Sequence, residues 1–162
     1  MRCVERKAKT GIDFIEVKPI GFVKTTAVGK EVRKKGTISE IILRSDLTEA
    51  LEGIDEFSHV FVLFWMHETS TEERRTVKTH PRGRRNLPLL GVFATRTPRR
   101  PNPIGLTLVE LLKADGNVLT VRNLDAFDGT PVLDIKPFDT WDMTDDAQVP
   151  QWWRNLEADR IS

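Results

Sequence analysis

The sequence predicts a mainly β domain, an antiparallel β-barrel or β-sheet that carries a few short helices. Six or seven short apolar segments are separated by turn residues along the 162-residue chain, and several have short connections. A doubly wound α/β fold would need regular crossover helices, whereas only two short helical segments are predicted here. With 39% hydrophobic residues the chain can bury one core, so we expect residues 1–162 to form a single domain.

The strands are predicted from runs of β-branched and aromatic residues that are bounded by turn residues. Pro19 indicates a bulge or an edge position in the first strand, and the nearly continuous apolar run 57–67 is typical of a buried central strand. Asp115-Gly116-Asn117 lies between two such runs and predicts a tight hairpin. In chain order the predicted strands cover residues 14–26, 37–43, 57–67, 89–95, 105–114, 118–124 and 131–138.

The helices are predicted from capping residues and the main loop from its lack of pattern. Asp46 stands three residues before Glu49, as in a capping box, which predicts a short helix over 47–54. Pro150 is placed to open a second helix over 151–160 at its first turn. Residues 68–88 show no hydrophobic period, and a loop of that length in a compact domain is usually functional or mobile.

Composition excludes several classes of protein. The single cysteine, Cys3, excludes an internal disulfide and a multi-cysteine metal site, and it favours a reducing, cytoplasmic location. No apolar run is long enough to span a bilayer, and the N-terminus lacks the apolar stretch of a secretory signal. His59 and His67 fall on one predicted strand about 26 Å apart, so they cannot share a metal ion. The Rossmann, P-loop and nucleophile-elbow motifs are missing as well.

The net charge of +1 conceals a strongly basic segment. Residues 74–100 contain nine Lys and Arg and no Asp or Glu, which leaves 16 bases against 24 acids elsewhere in the chain. Such a segment produces a local positive field that suits nucleic-acid phosphates. The alternative is a solvated loop that is balanced by acidic residues folded beside it. Three of its arginines, Arg82, Arg84 and Arg85, are candidates for phosphate binding.

The end of this basic segment runs into a proline-rich cluster at 96–105. Arg96, Arg99 and Arg100 lie on a backbone stiffened by three prolines within six residues, so they lose little entropy on binding a ligand. Their guanidinium groups suit phosphates or carboxylates. Asn102, between two prolines, presents an amide in a fixed direction. The alternative is a rigid turn whose arginines are merely solvated.

A second cluster is the acidic turn and the strand that follows it at 124–137. Asp125 and Asp128 flank the turn, which suits a ribose diol, an amino group or a sulfonium cation, or serves only as turn chemistry. Asp134 lies in an apolar strand and is expected to be buried with a partner, for which Lys136 is a candidate.

A third cluster stands at the exit of the central strand, where His67 leads into the long loop. A histidine there is well placed for a site, although it is also an ordinary residue to cap an edge. The pair Trp152-Trp153 is interpreted as a core or interface anchor rather than a base-stacking surface.

Three long motifs in this order resemble the TsaA-like, or TrmO, family. They are "EFSHVFVLFWMHE" at 56–68, "GVFATRTPRRPNPIGLTLVELL" at 91–112 and "LDAFDGTPVLDIKPF" at 124–138. With "IGFVKT" at 20–25, the resemblance covers a core of about residues 15–140 and leaves a C-terminal helical tail at 141–162. It implies a single-sheeted antiparallel β-barrel, S-adenosylmethionine as cofactor and a homodimer. It also implies methylation of N6 of threonylcarbamoyladenosine 37, next to the anticodon of tRNA, by a short form that lacks the C-terminal domain of longer bacterial members.

The resemblance also implies roles for individual residues. His67 and Glu68 match a cofactor-contacting pair, and Arg96 matches the arginine of an Ala-Thr-Arg motif. In the first loop Val32-Arg33-Lys34 stands where the family often has Pro-Arg-Gln. The positions matched to the cofactor site are Arg33, His67, Glu68, Arg96, Leu106, Asp125, Ala126, Phe127 and Asp128.

The chemistry of the implied reaction adds two hypotheses. The carbamoylated N6 is a poor nucleophile, so a carboxylate of the Asp125/Asp128 turn or Asp134 is expected to act near it, with Asp128 and Asp134 as the catalytic candidates. Arg99 or Arg100 is expected to bind the threonyl carboxylate. The alternatives are a methyltransferase for another RNA or a small molecule, and a non-catalytic module that binds S-adenosylmethionine or RNA.

Overall fold

The computed structural model describes residues 15–161 and shows a closed antiparallel barrel of six strands. The strands are β1 Gly21–Lys24, β2 Ile38–Leu43, β3 His59–Trp65, β4 Lys78–Thr79, β5 Leu90–Gly91, β6 Ile104–Asp115, β7 Val118–Arg122 and β8 Pro131–Pro137. The order around the barrel is β1-β2-β7-β6-β3-β8, with β8 returning to β1. A separate two-stranded sheet pairs β4 with β5. The predicted lead-in with Cys3, and the start of the first predicted strand, lie outside the described residues.

Alternation along the strands produces the core. On β2 the inward residues Ser39, Ile41 and Leu43 are buried and their neighbours are exposed, as expected for a sheet with one face to the core. The core contains mostly Val, Leu and Ile, and Val60 and Val62 of β3 are fully buried. The apolar run at 57–67 therefore forms the predicted central strand, paired with β6 and β8.

Two glycines allow close approaches that fix the register. A Cβ on Gly105 would lie 2.3 Å from the ring of Phe64, the buried residue opposite it on β3. A Cβ on Gly21 would lie 2.4 Å from the backbone oxygen of Ile42. Larger residues at these positions would force the strands apart.

The hairpin and the terminal helix are confirmed. β6 and β7 pair as far as Asp115 and Val118, and Gly116 between them adopts a left-handed φ of 57° that glycine accepts without strain. Helix α1, Gln151–Ile161, follows Pro150. No helix in the part of the chain that the structure describes is long and apolar enough to cross a membrane.

Three sequence predictions are wrong in detail. Strand 14–26 shortens to β1, and the predicted strand 89–95 contains only the two residues of β5 before a 3₁₀ turn at Val92–Ala94. The predicted helix 47–54 is a 3₁₀ helix over Ser45–Leu51, and no capping box forms there. The carboxylate of Asp46 binds the guanidinium of Arg44 instead, 3.0 Å from its Nε, so it is not available to cap the helix.

Candidate functional site

A wide cleft of about 1780 Å³ lies against the barrel and is lined by segments that are far apart in the sequence. It exceeds the range of roughly 300–1,000 Å³ usual for small-molecule sites, so it has room for a small molecule together with part of a second ligand. The predicted site residues that line it are Arg33, His67, Glu68, Arg82, Arg96, Arg99, Arg100, Asn102, Leu106, Asp125, Ala126 and Phe127.

One wall begins where β3 ends. The backbone N–H of Met66 donates to the carbonyl of Pro103 at 2.8 Å, and the N–H of Thr69 donates back to Met66 at 3.1 Å. This turn leaves His67 and Glu68 exposed on the cleft. Among the described residues, neither side chain has a hydrogen-bond or ion-pair partner, so both are available to a ligand.

The acidic turn forms another part of the cleft wall. Leu124 and Ala126 are buried in the core, which directs the intervening Asp125 outward into the cleft. Its carboxylate accepts from Nε of Arg33 at 3.3 Å. The first loop and the acidic turn, 92 residues apart in sequence, are therefore joined at the cleft.

The proline-rich segment supplies the cationic wall. Arg96 donates from Nη2 to the carbonyl of Leu106 at 3.2 Å, and Arg100 lies 6.0 Å from the ring centre of Phe93. Pro103 is fully buried, and the N–H of Ile104 donates to the carbonyl of Asn102 at 2.8 Å. The segment is thus held at its end by packing and backbone hydrogen bonds, which presents several guanidinium groups on a stiff chain.

An ion pair joins this segment to the long loop. Nε of Arg99 lies 3.1 Å from Oε1 of Glu73, and Oε2 of Glu73 accepts from the N–H of Ser70 at 3.0 Å. The hydrogen bond from Ser70, followed by the charge of Arg99, holds the pKa of Glu73 below its ordinary value. Glu73 therefore stays ionised and reduces the positive charge on this side of the cleft.

Four predicted residues are not brought to the cleft wall: Asp128, Asp134, Arg84 and Arg85. Asp128 accepts from the N–H of Thr25 at 2.9 Å and lines a separate depression of about 600 Å³ at the end of the barrel. Asp134 pairs with Leu63, which neighbours the inward Val62, so alternation directs Asp134 to the outer face.

The expected burial of Asp134 is wrong, although its expected partner is present. Its side chain is 45% exposed, and its carboxylate lies 2.8 Å from Nζ of Lys136. The apolar residues on either side of Asp134 in the sequence suggested a buried position. A register shift between Leu63 and Phe64 on β3 changes which residues of β8 face the core. The hydrogen bond to Asp134, followed by the negative charge of that carboxylate, raises the pKa of Lys136.

Several cleft residues carried no sequence signal of their own. Glu73 and His80 lie in the long loop and line the cleft. The lack of pattern in this loop indicated that it is functional or mobile, but it did not identify individual residues. Nδ1 of His80 lies 2.7 Å from the carbonyl of Leu87 and donates to that oxygen. Trp152 and Trp153, which we predicted to anchor a core or an interface, line the cleft and are only partly buried. In the described residues no group of three or more His, Cys, Asp or Glu is placed to hold a metal ion.

Comparisons with known proteins match this chain to one family. A family model for the tRNA-methyltransferase O N-terminal domain matches residues 22–143. A probable S-adenosyl-L-methionine-binding protein of Methanothermobacter thermautotrophicus is 43% identical over 129 residues, which is 76% of this chain and 90% of that protein. The tRNA (adenine(37)-N6)-methyltransferase of mouse is 46% identical over 89 residues, 55% of this chain but 20% of that protein.

A solved structure also resembles the chain. The crystal structure of TrmO from Pseudomonas aeruginosa superposes with a TM-score of 0.70 at 30% sequence identity. The match covers 89% of this chain and 64% of the Pseudomonas chain. The chain therefore spans somewhat less than two thirds of that protein.

Proposed function

Because this chain belongs to the TrmO family, whose N-terminal domain it matches over residues 22–143, we propose that it methylates N6 of threonylcarbamoyladenosine 37 in tRNA with S-adenosylmethionine. The observation that carries the proposal is the cleft, which brings the family-matched residues of four separate segments, all but Asp128, onto one surface. The proposal includes tRNA as partner and a homodimer, as the resemblance implies, and a cytoplasmic location, as the single cysteine favours.

The side chains of the cleft fit the cofactor. A methionine carboxylate suits the guanidinium groups of Arg96 or Arg33, while its ammonium group or the ribose diol suits the carboxylate of Glu68. When bound, S-adenosylmethionine supplies a methyl group on a sulfonium, whose sulfur keeps the electron pair of the broken C–S bond. The chain's part is to hold the acceptor nitrogen in line with that bond.

The acceptor nitrogen must also lose a proton. Its lone pair is delocalised into the urea, so a carboxylate that takes the proton as the N–C bond forms would raise the rate. Of the three aspartates considered, Asp125 lines the cleft, Asp128 lies at the end of the barrel beside it, and Asp134 is on the outer face. We therefore favour Asp125 over Asp128 and Asp134.

The basic residues supply the RNA contacts in this proposal. Arg99 and Arg100 line the cleft, where a guanidinium fork suits the threonyl carboxylate of the modified base. Arg82, Arg84 and Arg85 lie in the loop that follows β4 and are assigned to tRNA phosphates. Asn102 lies between Arg100 and the start of β6 in the sequence, lines the cleft and is assigned to the acceptor base.

The experiment compares D125N with D134N on tRNA that carries threonylcarbamoyladenosine, with methylated nucleosides measured by mass spectrometry. We expect the wild type to produce the N6-methyl nucleoside, D125N to lose about 10²-fold or more in rate, and D134N to keep the wild-type rate. If D134N loses activity and D125N does not, the assignment of the carboxylate is wrong. If no nucleoside is methylated, the proposed activity is wrong.

A binding module without turnover is the second candidate. The Methanothermobacter relative is named as a probable S-adenosyl-L-methionine-binding protein, and the match covers only 64% of the Pseudomonas chain. In that case the protein would bind S-adenosylmethionine but release no S-adenosylhomocysteine with tRNA or with total RNA. Methylation of a different RNA or of a small molecule would instead appear as S-adenosylhomocysteine without the expected nucleoside.

A further inference from the structure

Helix α1 places two indoles in the cleft. Trp152 and Trp153 both line it, and their rings meet edge to face with centroids 5.6 Å apart and planes at 76°. An edge-to-face pair leaves at least one face of each ring uncovered by the other ring. Both residues are partly exposed, which distinguishes them from the apolar side chains of the barrel core.

The helix is an addition to the part of the chain that defines the family. The family match ends at residue 143, whereas α1 begins at Gln151. Leu156 is only 3% exposed and also borders the cleft, so it fixes the helix against the rest of the chain. Among the side chains of α1 that the structure describes, Leu156 anchors the helix, and two large aromatic ones lie at the ligand space.

Aromatic side chains line the cleft beside its charged ones, Phe93 and Phe127 as well as the two indoles. The charged walls suit carboxylates, amines and phosphates, whereas a purine stacks on a flat apolar surface. Indole rings provide such a surface, and stacking on them tolerates any base because every base has a π face. The two partly exposed tryptophans therefore add a stacking surface to the charged groups of the cleft.

We propose that Trp152 and Trp153 form a stacking surface for an adenine ring that is bound in the cleft. This inference rests on the proposed function, since both of its substrates carry adenine. The ring belongs either to S-adenosylmethionine or to the acceptor nucleotide of tRNA, and the same face-on contact serves both. The two indoles are binding residues and take no part in proton or methyl transfer.

The chain contains a matched control. Trp141 belongs to the same C-terminal segment, is 93% exposed and does not line the cleft. We would measure the dissociation constants of S-adenosylhomocysteine and of an anticodon stem-loop RNA for W152A, W153A, W141A and the wild type by calorimetry. W152F keeps an aromatic face and tests whether stacking, rather than helix packing, is lost. Thermal unfolding midpoints of all variants show whether each remains folded.

We expect W152A or W153A to weaken one of the two ligands by roughly 5- to 150-fold, the range for loss of one base–aromatic stack. W141A should stay within about twofold of the wild type, and W152F should recover most of the loss. A loss confined to S-adenosylhomocysteine assigns the cofactor's adenine, and one confined to the RNA assigns the acceptor.

Three results would overturn the inference. They are unchanged affinities in both W152A and W153A, an equal loss in W141A, and a W152F variant as weak as W152A. Wild-type turnover with unchanged W152A and W153A affinities rejects the stacking surface alone. A wild type that binds neither ligand rejects the proposed function together with it.

Discussion

Some residues of this protein contribute to ligand binding and little to stability, whereas others contribute mainly to stability. The Arg33–Asp125 ion pair joins two walls of the cleft, yet its side chains are 64% and 51% exposed. Exposed pairs of this kind contribute about 0–1 kcal/mol to stability. The pair matters for ligand binding instead, because both side chains line the cleft.

We expect R33A to weaken binding of S-adenosylmethionine about tenfold or more while the free energy of unfolding changes by less than about 1 kcal/mol. Lys35 belongs to the same loop, carries the same charge and does not line the cleft. K35A is therefore the control and should bind as the wild type does. Calorimetry and urea unfolding give the two quantities, and equal binding losses in R33A and K35A would contradict the role of Arg33.

Gly105 has the opposite character, because its substitution should affect stability first. A Cβ there would lie 2.3 Å from the buried ring of Phe64, and overpacking of this kind costs about 1–3 kcal/mol. We expect G105A to be destabilised by that amount in urea unfolding. Gly91 has nothing within 4 Å of its would-be Cβ, so G91A should change stability by less than about 0.5 kcal/mol.

At the scale of elements, the Glu73–Arg99 contact ties the long loop to the proline-rich segment. Because the folded pKa of Glu73 is lowered, this tie is present above the ordinary glutamate pKa and is lost as the pH falls through the lowered value. The N–H of Ser70 is the largest cause and Arg99 a smaller one. Loop order should therefore decrease in acid.

We expect a carboxyl titration of Glu73, followed by NMR, to have its midpoint below the ordinary value of 4.5. R99A should raise that midpoint only in part, because the hydrogen bond from Ser70 remains. A midpoint at 4.5 in the wild type would mean that the contact does not persist in solution.

At the scale of the whole molecule, the barrel is closed by unequal seams. β3 and β6 pair over seven residues, whereas β1 and β8 pair over two, one of them Pro131, which has no N–H to donate. The shorter seam is extended by flanking hydrogen bonds such as Ile20 N–H to the carbonyl of Val132 at 2.8 Å. Local opening should begin there.

We expect hydrogen exchange at the amides of Ile20 and Val23 to be faster than at Val60 and Val62 on β3. Local opening needs only the few bonds of the short seam to break, whereas exposure of β3 requires loss of pairing on two sides. Equal protection at both places would show that the barrel opens only as a unit.

The uneven charge distribution of the chain makes a second prediction at this scale. If the segment 74–100 binds tRNA phosphates, log K should fall linearly with log salt, and R85A should make the slope shallower by about one. Lys113 lies at the far end of the β6–β7 hairpin beside Asp115, so K113A serves as the control. Affinity that does not vary with salt would contradict phosphate binding by this segment.

The sequence by itself determined the barrel strands and a part of the residues around the cleft. Alternating residues on β2, the apolar run of β3 and the turn at Gly116 are local patterns. They can be recognised in the sequence because side chains along a strand alternate between its buried and its exposed face. His67, Arg96 and Asp125 could likewise be identified from the sequence, because each lies within one of the three family motifs.

Only the tertiary structure decided which candidates share a surface. Asp125 and Arg33 meet although 92 residues separate them, whereas Asp134 turns outward at a register shift that its neighbours in sequence do not reveal. The indoles of α1 reach the cleft because the chain returns to it after β8. Contacts of this kind depend on the closure of the barrel and on the paths of the loops, which are set by packing between distant segments and not by local periodicity.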